Sequence, residues 1–102
     1  MTETVALADL TERPREVAFP GAEPKTVRLA LDAGEEIPAH RHPEREIVVH
    51  LVSGRLDVRV AGESNVLEPG ELLRFDGRDE ASPPAAEASV AVLVLAPRSD
   101  DG

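Results

Sequence analysis

All three histidines of the chain, His40, His42 and His50, fall in one stretch between Gly34 and Gly54, and Glu46 falls among them. Imidazole nitrogen and carboxylate oxygen are the donors a borderline divalent ion prefers, and alternate residues of an extended chain project to the same side. By alternation, His40, His42, Glu46 and His50 share one side. Glu44 has the same parity, although Pro43 interrupts regular strand geometry there. Two histidines and one carboxylate form the facial triad of non-haem Fe(II) oxygenases, and three protein ligands with a water describe catalytic zinc. Each residue also has a plain structural reading. His40 and His42 can be a metal-free pair on a loop, Glu46 the partner of a nearby arginine, and His50 a satisfied core or interface histidine. Arg74 and Arg78 are candidates to hold a substrate carboxylate, or are surface ion pairs.

The elements that must position these groups are short and extended. Val27, Leu29 and Leu31 alternate with polar or small residues before Gly34, the pattern of a half-buried strand. Ile47 to Val52 is apolar on both faces except at His50, as in a strand covered on both sides. Leu56, Val58 and Val60 alternate with Arg55, Asp57 and Arg59, so Ser53-Gly54 is expected to turn the chain back as a hairpin. Further strands are expected at 65–67, 72–75 and 90–95, with 81–88 as a loop. Residues 1–26 read as an irregular arm broken by Pro14, Pro20, Gly21 and Pro24, with one edge strand near Glu16 to Phe19. Residues 27–96 form the folded body, and 97–102 a frayed acidic tail. Short strands with frequent turn signals imply an all-β sandwich or barrel.

Composition narrows the partners. The 102 residues suffice for one domain and one core, and the hydrophobic fraction of 41% suits a globular chain. Eleven basic residues against 20 acidic ones leave a formal charge of -9, which argues against nucleic acid and anionic membrane as partners. Phe19 and Phe75 are the only aromatics, too few for a base-stacking platform. The absence of cysteine excludes disulfides, thiolate catalysis and sulfur-ligated zinc. With no signal-like N-terminus and no apolar run of the roughly 20 residues a membrane span needs, a cytoplasmic location is the expectation.

The stretch from Gly34 to Gly54 resembles the first motif of the cupin superfamily: Gly, five residues, His-X-His, three or four residues, Glu, six residues, Gly. Gly34, His40, His42 and Glu46 fit it, and Gly54 then arrives one residue late, as a β-bulge would make it. The second motif reads Gly, five residues, Pro-X-Gly, two residues, His, three residues, Asn. Here Gly70 fits, while Asp76, Arg78, Ala81 and Ala85 stand at the other positions. The resemblance implies a small cupin-like double-stranded β-helix, or jelly-roll barrel, paired as a homodimer. It implies metal ligands at His40, His42 and Glu46, with Ala81 where a fourth histidine belongs and His50 as the local candidate to replace it. The metal would be Fe, Mn, Ni or Zn, if one binds. The leading expectation is a protein that binds a small molecule or a divalent metal in the barrel mouth. A metal-dependent oxygenase or isomerase built on two histidines and one carboxylate is the alternative, and a structural dimerisation module a third.

Overall fold

The computed structural model describes residues 2–97. In chain order its strands are β1 (Arg15–Val17), β2 (Lys25–Leu31), β3 (Arg45–Val60), β4 (Glu63–Leu67), β5 (Leu72–Asp76), β6 (Ala81–Ser82) and β7 (Ala85–Pro97). All pairings are antiparallel. A single 3-10 turn at Leu7–Asp9 precedes them, and no helix of the described residues is long and apolar enough to cross a membrane.

The 16-residue β3 is the hub. Strand β7 follows one edge of it from Arg45↔Pro97 to Leu56↔Ala85. On the other edge, β5 pairs with its first half and β4 with its second. Strand β2 extends the sheet beyond β7, and β1 is the edge strand on β2. Strand β6 lies between the end of β3 and the segment before it, to which it is joined by bridges at His40↔Ala81 and Glu36↔Pro84. The result is an all-β jelly-roll barrel closed around one core.

The expected hairpin at Ser53-Gly54 does not form. The chain runs straight through as a bulge, with the β3–β7 register shifting between Leu51 and Leu56. Gly54 has φ +88, which suits a turn or a bulge equally well, so the local sequence does not separate the two. The contact with β7 decides it. A Cβ on Gly54 would lie 2.7 Å from the Ser89 Cα and closer still to the Ala88 carbonyl oxygen. The buried Ser89 hydroxyl accepts from the Arg55 N–H at 3.0 Å and donates to the Glu87 carbonyl at 2.7 Å, capping the irregular turn of the ladder.

The bulge also resets parity. Ile47, Val49 and Leu51 face the core before it, and Leu56 and Val58 after it. Leu51 and Leu56, on either side, have no exposed surface, and burial of this kind is worth about 1.5–3 kcal/mol per side chain. The opposite face carries Val48, His50 and Val52, beside Leu72 of β5, which is 65% exposed. At the β3–β4 hairpin, the Asp57 carboxylate accepts from the Ser64 hydroxyl at 2.6 Å, the Asn65 N–H and the Arg59 guanidinium. The Ser64 bond foremost holds its carboxyl below the usual carboxylate value. The segment expected to be a loop, 81–88, contains β6 and the start of β7, because Ala81 finds backbone partners on both sides.

Gly54→Ala should destabilise the fold by about 2–3 kcal/mol, since it combines a strained φ with a steric overlap against β7. Urea denaturation measures this. A loss below about 0.5 kcal/mol, the range of an ordinary surface change, would show that the close crossing of β3 and β7 is not required.

Candidate functional site

His40 and His42 are placed by backbone contacts. The N–H and C=O of His40 bond reciprocally to Ala81, both at 3.1 Å. The N–H of His42 donates to the Gly77 carbonyl at 2.7 Å, and the Gly77 N–H donates to the Arg45 carbonyl at 2.9 Å. Between them, the Arg45 N–H closes a tight turn onto the His42 carbonyl at 2.9 Å. Gly77 is buried under this turn, and a Cβ there would lie 2.6 Å from the Arg45 carbonyl oxygen and nearer that of His42. The two imidazole rings meet edge to face, with centroids 4.6 Å apart and planes at 83°. Nδ1 of His40 lies 2.9 Å from the Pro38 carbonyl oxygen. A carbonyl only accepts, so Nδ1 carries the proton and, in the neutral ring, Nε2 carries the lone pair.

Both rings line a cavity of about 60 Å³ in the barrel mouth. That is room for a small cluster of waters. The wall is hydrocarbon: Ile47, Val49, Leu56 and Val58 come from β3, and Val27 and Leu29 from β2. Leu93 and Leu95 of β7 and Phe75 of β5 complete it. Besides the two histidines, the charged groups lining the cavity are Arg15 and Asp79, both exposed at their residues. Burial pushes the pKa of His42 below its ordinary 6.5, and positive charge on His40, Arg15, Lys25 and Arg45 pushes the same way. At neutral pH, His42 is the uncharged base.

The sequence profile of the cupin domain (Cupin_2) matches residues 27–94, about two-thirds of the chain. The chain belongs to the cupin family. Solved cupins share its fold at low identity. A cupin from Desulfovibrio desulfuricans, described as RmlC-like, is 19% identical, with a TM-score of 0.82 over 95% of this chain and 98% of that one. KdgF from Halomonas sp. is 24% identical, with a TM-score of 0.72 over 85% and 80%. The cupin domain of an XRE-family transcriptional regulator from Enterobacter cloacae is 22% identical, with a TM-score of 0.72 over 82% and 96%. Among curated proteins, no sequence matches this chain.

In this cupin the four candidate ligands are not gathered. Only His40 and His42 share the cavity. Glu46 and His50 lie on the other face of β3, alternating with the inward Ile47 and Val49. Glu46 takes a hydrogen bond from the Arg74 guanidinium at 3.2 Å, and His50 is paired between Leu72 and Val92. The physical reason is the 42–45 turn around Pro43, across which alternation counted from His42 does not carry into β3. Arg78 bonds to Asp76 at 2.9 Å, and neither Arg74 nor Arg78 lines the cavity.

The longer of the two spacings that the cupin motif allows accounts for this geometry. Four residues separate His42 from Ile47, six more lead to Gly54, and the late glycine is no longer late. Ile47, buried and facing the cavity, thus occupies the carboxylate position. Ala81, bridged to His40 and lining the same cavity, occupies the position of the missing histidine. Two of four ligand positions present only carbon. Among the described residues no group of three or more His, Asp or Glu side chains is placed to hold a metal ion, so the donor set does not fit one.

Sequence reasoning also missed Arg15. Arg15 sits opposite Leu29 in the β1–β2 ladder and so shares its cavity-facing side, which no local pattern reveals. Gly77, by contrast, is visible in the sequence one residue from the glycine position of the second motif.

Two outcomes follow. In the folded chain the proton leaves His42 below 6.5, so the unfolded chain binds it first. Stability is therefore full above pH 6.5 and falls as pH drops through that value toward the folded pKa. NMR titration of the His42 ring should give a midpoint below 6.5, and a midpoint at or above it would contradict the burial. The double variant Ile47→Glu/Ala81→His should bind Zn(II) at least about 100-fold more tightly than the unaltered chain, with a metal-dependent melting temperature. Calorimetry showing unchanged affinity would mean that the two positions do not converge on the histidines.

Proposed function

We propose that this cupin binds a small organic molecule in the barrel mouth without a resident metal. The observation that carries the reading is hydrocarbon at two of the four ligand positions, Ile47 and Ala81, both facing the cavity. A metal centre of the oxygenase or isomerase type needs three protein donors around one point, and among the described residues no third His, Asp or Glu side chain is placed to join the two imidazoles. What the same cavity offers a small molecule is an apolar wall with a few polar groups gathered at its opening, the usual make-up of a ligand site. The likeness to a cupin domain of a transcriptional regulator supports a binding role as readily as a catalytic one, since the fold hosts both.

A neutral apolar probe tests the reading. Titrating n-pentanol into the ¹⁵N-labelled chain should shift the amides of Ile47, Val49, Leu56 and Val58, and leave those of β4 in place. Leu93→Trp, at a half-buried wall position, should abolish these shifts while costing about 1–3 kcal/mol in stability. If the probe shifts no wall residue at millimolar concentration, the cavity is closed packing and the reading fails.

A further inference from the structure

We propose that the ligand is an amphipathic carboxylate: a short hydrocarbon body in the barrel and an anionic head held at the mouth by Arg15 beside His40 and His42. This rests on the reading above and deepens it.

The cavity has two unlike parts. Its depth is walled by aliphatic side chains and Phe75, which offer a ligand no hydrogen bond. Its rim carries Arg15, His40, His42 and Asp79. A ligand filling both must be apolar at one end and polar at the other.

The sign of the polar end follows from the charges. Of the arginines, Arg13, Arg45, Arg59, Arg74 and Arg78 are each paired with a carboxylate. The Arg15 side chain makes no hydrogen bond or ion pair among the described residues, as is also true of Arg41 and Arg55, but of these three only Arg15 lines the cavity, in a chain with 20 acidic side chains against 11 basic ones. A guanidinium left unpaired in so acidic a chain, on the cavity-facing side of β1, is a donor fork without an acceptor. Arg15, Lys25 and Arg45 each bring positive charge to bear on His42. Asp79 is the one acid on the rim. It disfavours a dianion and leaves room for a single negative charge, while a cationic head would meet Arg15 and the field around His42.

An inward-pointing arginine on an edge strand can instead serve to discourage strand addition. That role predicts nothing about ligand charge, so the two are separable.

Three probes of one length, pentanoate, n-pentanol and n-pentylamine, are titrated into the full chain by calorimetry and ¹⁵N NMR. The expected result is pentanoate binding roughly tenfold or more tightly than pentanol, with pentylamine weakest, the range of one charge-assisted hydrogen-bonded contact. Arg15→Gln should erase the preference for the acid, with an unchanged ¹⁵N spectrum of β3 and β7 reporting that the variant is folded. Arg15→Lys should keep part of the preference. Pentanoate no tighter than pentanol, or pentylamine tightest, overturns the proposal while the apolar site stands. A preference for the acid that survives Arg15→Gln overturns the role of Arg15. If no probe reaches the wall, the site reading and the proposal fall together.

Discussion

The crossing of β3 and β7 at Gly54 and Ser89 is the constraint on which the barrel depends. One strand has to serve both halves of the wall, and a regular strand would turn its apolar side outward halfway along as the barrel bends. The extra residue near Leu51 to Leu56 corrects the alternation, so Ile47 and Val49 face inward at one end and Leu56 and Val58 at the other. The correction needs a residue without a side chain where the strands cross and a hydroxyl to satisfy the irregular backbone there. Gly54 and Ser89 meet those needs. The strands β4, β5 and β6 take their places from β3, and through β6 the histidine segment is tied to the same strand.

What the sequence shows and what it hides divide along local and non-local physics. Alternation at Val27, Leu29 and Leu31 and at Leu56, Val58 and Val60 marks the strands correctly, because period-two burial is a local property. The doubly apolar run from Ile47 to Val52 predicts a strand covered on both faces, whereas the structure buries Ile47, Val49 and Leu51 on one face and leaves Val52 exposed on the other. Ser53-Gly54 misleads because a glycine with positive φ looks alike in a turn and in a bulge, and the deciding contact comes from a strand more than thirty residues away.

The site divides in the same way. Counting from Gly70 finds Ala81, and the structure sets that residue beside His40. Counting from His42 stops at Glu46, a carboxylate at an allowed spacing, although the inward position is the next residue. A turn of Pro43, Glu44 and Arg45 shifts the phase, which alternation counted along the sequence does not register. With Glu46 bonded to Arg74 on the outside, the histidine pair is left facing hydrocarbon. Burial then favours the uncharged form of His42, since a charged imidazole loses hydration there.

One consequence lies in how the cavity is walled. Ile47, Val49, Leu56 and Val58 hold the barrel together and also bound its interior space, so no change in the shape of that space escapes the folding equilibrium. The collar is different. Arg15, His40 and Asp79 are exposed and can be exchanged with little effect on packing. A substitution in the interior therefore acts on the fold and the space together, whereas one at the collar changes the charge and shape of the opening alone.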